Sequence, residues 1–230
     1  MVSYDFNHPI LKKHYRYERL AKEHIAISKL KSNRIKVRIT DSATKLKIPT
    51  KYEIDYHIRS IVGIEKDSRV PRFGSKHTIE ISFPAKFPLE SFIVKAITDI
   101  WHPNIIYHGE EKGKICGNIK GMGKAYNMRL LVERVGEIIQ YKNYLAEHTE
   151  PYPFDPIVAK WVLEDAPKHR VNFPIDDSNL LEYTPPPEKE EYTPPPEPEK
   201  PKIIIKSIKT KEKKSGIIIK SVNKKRNSVE

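Results

Sequence analysis

Along the first 170 residues the spacing of apolar positions changes period twice. Over Ile10–Ser28, the residues Ile10, Tyr17, Leu20, Ala21, His24 and Ile27 recur at helical spacing, which predicts a helix with one buried stripe. Asn7 or His8 stands where its N-cap belongs, and Pro9 falls in the first turn, where a missing N–H costs little. Period two then takes over in four sets. They are Ile35, Val37 and Ile39; Tyr52, Ile54, Tyr56 and Ile58, continuing through Ile61–Ile64; Ile79, Ile81 and Phe83; and Phe92, Val94, Ala96 and Thr98. Alternation of this kind predicts strands with one face buried. Asp41, Pro49, Gly63, Pro71 and Gly74 punctuate the links as turn residues. Helical spacing returns over Met128–Ala146 and, after a Pro-containing break at Glu150–Pro153, over Pro156–Ala166. Helix, four strands, irregular stretch, two helices is the order of an α+β domain built on an antiparallel meander.

From about Ile175 the composition shifts to Pro, Glu, Lys and Ser. Three regions are therefore expected: a domain over 1–170, a Pro/Glu-rich linker over 171–200 and a basic tail over 201–230. Tyr183-Thr-Pro-Pro-Pro-Glu188 recurs as Tyr192-Thr-Pro-Pro-Pro-Glu197, a density of proline that favours polyproline II spacers. Ile203-Ile-Ile-Lys-Ser207 recurs as Ile217-Ile-Ile-Lys-Ser221. Each repeat is a strand former too short to fold alone, suited to adding to a partner's sheet edge. Residues 200–230 hold eleven Lys/Arg against Glu212 and Glu230, which is most of the net charge of +12. The folded part is thus only mildly basic. No aromatic residue follows Tyr192, so no stacking platform interleaves the tail lysines, and nucleic acid ranks last among partners.

The single cysteine, Cys116, excludes an intramolecular disulfide. The N-terminus lacks the apolar run of a secretory signal, and no stretch approaches a membrane span. A cytoplasmic location is expected. A lone cysteine in such a chain is ordinarily a small buried hydrophobe. Here it lies among Gly113, Gly117, Gly121 and Gly123, in a chain with nine glycines. That setting suits an exposed thiol approached closely by another backbone.

The order Ser82-Phe83-Pro84-Ala85-Lys86-Phe87-Pro88, a strand, His102-Pro103-Asn104-Ile105 and then Cys116 resembles the ubiquitin-conjugating enzymes. So do the first helix with Tyr17-Glu18-Arg19-Leu20-Ala21-Lys22-Glu23 and the Phe154-Asp155-Pro156 that opens the last one. The likeness spans about residues 10–166 in the right order. It implies the ubiquitin-conjugating fold and a thioester-forming Cys116, since a thiolate is the side chain best suited to hold an acyl group in transit. Asn104 would donate to the tetrahedral oxyanion or order the loop that does. His102 would hold that loop by hydrogen bonding, and Asp155 would orient or deprotonate an incoming lysine amine. An Asp before a helix-opening Pro is equally the mark of an N-cap.

No phosphate-binding Gly-rich loop is present, so the chain would not activate an acyl group itself. No cofactor is expected, and His102, His108 and Cys116 lack the paired spacing of a zinc site. The resemblance implies a ubiquitin-like modifier, a separate ATP-dependent activating enzyme, a ligase and a protein substrate as partners. Lys12, Lys13, Arg16 and Arg19 would form the docking face for the activating enzyme. Phe87, Pro88 and the Gly121–Tyr126 loop would form the ligase site. Several departures point to a divergent member, of a prokaryotic kind. The Asn104–Cys116 gap is long, with an insert around Tyr107–Lys114. Gly117 stands where Leu is usual, and Ala125-Tyr126 where Trp is usual. An inert scaffold of the same fold is the alternative reading, and retention of both Cys116 and Asn104 speaks against it.

Overall fold

The computed structural model describes residues 2–116, 127–147 and 153–185. The residues Met1–Pro186 form one compact unit. The Tyr-Thr-Pro-Pro-Pro-Glu and isoleucine repeats, Gly117, Gly121, Gly123 and the Gly121–Tyr126 loop lie outside the described residues, except for the opening Tyr183–Pro185.

The expected N-terminal helix is two helices. α1 spans Pro9–Lys13 and α2 spans Tyr15–Ser28, separated at His14, which is extended (φ −126°, ψ 97°). His8 caps α1 by accepting the Ile10 N–H on Nδ1. The break lets Leu11 bury completely while α2 turns Leu20, Ala21 and Ile27 inward on its own stripe. Nothing in the residues from Ile10 to Ser28 forbids a continuous helix, so packing decides the break.

Four strands form the main sheet in the order β1-β2-β5-β6: β1 is Ile35–Ala43, β2 Ile48–Tyr56, β5 His77–Ser82 and β6 Ile93–Ala96. All pairs are antiparallel, with Ile54 opposite Val37 and Ile79, and Ile81 opposite Tyr52 and Val94. The meander expected from alternation is therefore present. The alternation across Ile61–Ile64 belongs elsewhere. β3, Ser60–Ile64, pairs with β4, Pro71–Gly74, in a separate two-stranded sheet. The chain turns at His57, whose N–H reaches the Arg34 carbonyl, and Ser60 is fixed by donating its hydroxyl to the Ile139 carbonyl. Such long-range hydrogen bonds are invisible to a period-two pattern.

α2 and α3, Met128–Ile139, cover the inner face of β2 and β5, where Tyr52, Ile54, Tyr56, Ile79 and Ile81 are wholly buried. Each fully buried aliphatic of this size contributes about 1.5–3 kcal/mol. At the sheet edge the cover is incomplete: of the β1 alternates only Ile35 is buried, while Val37 and Ile39 remain exposed. α3 ends at Ile139 rather than continuing to Ala146, because Tyr141 adopts a left-handed backbone (φ 61°). α4, Pro156–Glu164, packs Val158, Ala159, Trp161 and Val162 against Ile61, Trp101 and Tyr141 in a second core.

Residues 171–183, placed in a linker by composition, pack on this domain. Ile175 and Leu180 are buried, and the Ile175 N–H donates to Gln140. Asp176 accepts the Arg59 and Ser178 N–H groups. Leu180 seats so closely on α3 that a Cβ at Gly136 would fall 2.6 Å from its Cδ1. No helix among the described residues is long and apolar enough to cross a membrane.

Candidate active site

The segment from Trp101 to Cys116 is tied down from three directions. The Trp101 N–H donates to Ile61 of β3 (2.8 Å). From beneath, Tyr141 donates its buried hydroxyl to the Trp101 carbonyl and packs its ring 4.4 Å from that of His102. From α4, the Asp155 N–H donates to the Pro103 carbonyl (2.8 Å). Tyr141 was not legible as a site residue: its role follows from a left-handed backbone that sequence spacing does not signal.

His102 is completely buried. Its Nδ1 accepts the Asn104 N–H at 3.0 Å, closing the tight turn that Pro103 begins. Burial pushes its pKa down to about 3, so at neutral pH it is an uncharged acceptor within the loop. This has a measurable consequence. The unfolded chain takes up a proton near the ordinary histidine pKa of ~6.5, whereas the folded one resists until about 3. The unfolded state binds more protons throughout that interval. Stability from His102 is thus present above ~6.5 and is lost as pH falls, by about 1.4 kcal/mol per unit. Burial lowers His24 and His77 in the same direction. Urea unfolding at pH 7.5 and 5.0 should show a loss of which His102→Asn removes roughly 2 kcal/mol, the share of His24 and His77 remaining. An unchanged pH slope in that variant would contradict the assignment.

The insert between Asn104 and Cys116 does not separate them. Ile105 pairs with Ile115 in an antiparallel bridge, and Lys95 of β6 with Lys114. The extra residues loop out as a hairpin arm whose return is set by Gly113 (φ 87°); a Cβ there would lie 2.2 Å from the Ala96 carbonyl oxygen. The same pairing places Cys116 opposite Asn104, and the Cys116 N–H donates to the Asn104 carbonyl at 2.9 Å. Cys116 is a free thiol of intermediate exposure. Asn104 accepts the Leu145 N–H on Oδ1 at 3.0 Å. This anchors the 144–147 stretch and leaves the amide NH2 without a partner among the described residues.

Asp155 is the N-cap of α4. One carboxylate oxygen accepts the N–H groups of Ile157 (3.0 Å) and Val158 (3.1 Å), and the other accepts that of Tyr107 (2.8 Å). The residue is buried. Each oxygen is engaged in positioning α4 and the base of the hairpin arm, which is the capping alternative of the two that its sequence context offered.

The four basic residues of the N-terminal region are not equivalent. Lys12 and Lys13 are exposed at the end of α1. Arg16 donates to the Phe83 and Pro84 carbonyls, both 3.3 Å. Arg19 pairs with buried Glu23 (2.6 Å), which in turn accepts the Met128 N–H. Arg16 and Arg19 therefore stitch α2 to the Phe83–Pro88 turn and to the start of α3. Glu23 is a site-supporting residue that the sequence reading passed over. Leu89 projects almost fully into solvent beside the cis Phe87–Pro88 bond.

No protein-family model and no curated protein matches the chain. Solved structures similar to it include three chains described as ubiquitin-conjugating enzymes or their domains. One is a Plasmodium yoelii protein described as a ubiquitin conjugating enzyme, 22% identical, with a TM-score of 0.46, covering 68% of this chain and 88% of that one. A second, described as a novel ubiquitin-conjugating enzyme, is 16% identical with a TM-score of 0.45, covering 67% and 89%. The E2 domain of a Toxoplasma gondii ubiquitin conjugating enzyme is 23% identical with a TM-score of 0.43, covering 66% and 89%.

Proposed function

We propose that the chain is a ubiquitin-like-protein conjugating enzyme, which accepts a modifier's C-terminus as a thioester on Cys116 and passes it to a lysine amine. The observation that carries this reading is the pairing of Cys116 with Asn104. Cys116, of intermediate exposure, donates its backbone N–H to the carbonyl of Asn104 beside the Ile105–Ile115 bridge, and the acceptor end of the Asn104 side-chain amide is already used. In the loading step the Cys116 thiolate attacks the activated carbonyl and the activating enzyme's group leaves. In the transfer step the neutral amine nitrogen attacks the thioester carbon, the oxyanion takes a hydrogen bond from the Asn104 amide NH2, the C–S bond breaks with Cys116 leaving as thiolate, and the amine's surplus proton passes to solvent. Such a donor is worth about 3–4 kcal/mol in the transition state. His102, Tyr141 and Asp155 act as positioning residues for the loop that carries Asn104. Of the four basic residues expected to dock the activating enzyme, Lys12 and Lys13 are exposed and enter no ion pair among the described residues, and they would meet an acidic partner.

The test begins with ubiquitin, its activating enzyme and ATP as the first probe set, and extends to other ubiquitin-like modifiers with their own activating enzymes. A non-reducing gel should show a thiol-labile adduct on the wild-type chain. Cys116→Ala should form none, and Cys116→Ser should form an adduct that resists thiols. A well-folded chain whose Cys116 also fails to react with a small disulfide reagent would overturn the enzymatic reading in favour of an inert scaffold.

A further inference from the structure

Two tyrosines support the turn that carries Asn104, and one residue far along the chain touches both. Tyr141 donates to the Trp101 carbonyl and lies 4.4 Å from the His102 ring. Tyr144 stands edge-on to His102 at 6.4 Å. It precedes Leu145, whose N–H donates to the Asn104 side-chain oxygen. The Phe173 ring stacks on Tyr141 at 4.8 Å and 21°, and tilts against Tyr144 at 5.2 Å. The four rings form one cluster. It ends on the two hydrogen bonds that fix Asn104: its own N–H to His102 Nδ1, and the Leu145 N–H to its Oδ1.

The backbone carrying Phe173 is clipped on both sides of it. Before it, Arg170 takes a left-handed conformation (φ 54°), and the Val171 N–H donates back to the Ala166 carbonyl at 2.9 Å. After it, the Ile175 N–H donates at 2.9 Å to the carbonyl of Gln140, the residue just before Tyr141. Gln140 answers by donating its side-chain amide to the Ser178 carbonyl at 2.8 Å. These bonds set Phe173 over Tyr141 while its ring stays only half-buried. One side of that ring borders the open groove lined by Tyr144, Leu145, Val162 and Leu163. A ring there closes little core, but it bears on both supports of Asn104 at once.

We propose that Phe173 is a positioning residue for the transfer step: it holds Tyr141 and Tyr144 against the 102–104 turn, so that the Asn104 amide keeps its aim at the thioester on Cys116. The inference rests on the conjugating reading above. An oxyanion donor acts only at about 3 Å from the oxygen it serves, and a displacement of about 1 Å can cost a hundredfold in rate. With Phe173 gone, Tyr141 still keeps its bond to the Trp101 carbonyl. Tyr144 loses its cover, and the Leu145 N–H alone must then hold the Asn104 side chain.

The test uses the full chain, loaded on Cys116 and discharged onto free lysine. Phe173→Ala and Phe173→Tyr are each made alone and together with Asn104→Asp. Phe173→Ala should load as the wild type does and discharge about ten- to a hundredfold more slowly. Phe173→Tyr keeps the ring and should discharge near the wild-type rate. With Asn104→Asp the donor is already gone, so Phe173→Ala should add no more than about a twofold loss, because residues acting through one group are not additive. The same loss in both backgrounds would overturn the proposal and leave Phe173 as general packing, as would wild-type discharge by Phe173→Ala. Amide hydrogen exchange reads the same contact without loading. In Phe173→Ala the Leu145 N–H should exchange at least about tenfold faster while amides of β2 and β5 keep their protection. Unchanged protection at Leu145 would overturn the positioning role. Failure of the wild-type chain to form any thioester would instead remove the conjugating reading, whereas normal loading with an indifferent Phe173→Ala removes this inference alone.

Discussion

Asn104→Asp should slow discharge of a preformed Cys116 thioester onto free lysine by about a hundred- to a thousandfold, the usual cost of losing one oxyanion donor. The choice of Asp separates two roles. The Asn104 side chain accepts the Leu145 N–H through its oxygen, and a carboxylate retains that bond. What Asp removes is the NH2 donor, and it adds a charge that opposes the developing oxyanion. If Asn104 acted only by ordering the 144–147 stretch, Asp would preserve most activity and Ala would not. If it stabilises the oxyanion, both variants should be slow, and the Asp variant should keep near-wild-type thermal stability. Discharge is measured from equal amounts of loaded protein, so differences in loading drop out. Fast discharge by the Asp variant would refute the donor role while leaving thioester formation untouched.

Asp155→Ala should have the largest effect on stability among the site residues. It strips two N–H groups of α4 of their cap, worth about 1–2 kcal/mol. It also leaves the Tyr107 N–H without its acceptor, a further cost of about 1–3 kcal/mol. A total of roughly 2–5 kcal/mol should lower Tm by about 4–20 °C in a domain of this size. Asp155→Asn keeps one carbonyl oxygen for the cap and should lose about half as much. The same Asn variant tests chemistry. Removal of a general base costs about 10²–10⁴-fold. Because each carboxylate oxygen is engaged by backbone amides, the expected loss in lysine discharge is instead under about tenfold, measured where both proteins are folded. A loss in the hundreds with Tm preserved would restore the proton-accepting role.

Both predictions depend on contacts between segments distant along the chain. This is why the resemblance that named Asp155 a catalytic candidate left its capping role open. A local motif, Asp before Pro at a helix start, was enough to suggest the cap. The Tyr107 N–H that engages its second oxygen lies 48 residues away and has no signature of its own. The long insert raised a similar question. Counted along the chain it separates Asn104 from Cys116, but the Ile105–Ile115 bridge turns the added residues into an arm and keeps the two side by side.

Local periodicity alone determined the kinds of element and their order: helical spacing before Ile35, alternation to Thr98, helical spacing again from Met128. It did so because a buried stripe repeats every 3.6 residues in a helix and every two in a strand. The residue types at 82–88, 102–104 and 116 likewise marked the candidate chemistry. Three-dimensional packing decided what periodicity cannot encode. It broke the first helix at His14, diverted Ile61–Ile64 into a second sheet and drew residues 171–183 onto the domain. It also committed Arg16 and Arg19 to internal partners and left Val37 and Ile39 uncovered. In each case a group's fate depends on which distant donor, acceptor or apolar face reaches it first, and that competition is settled only when the chain closes on itself.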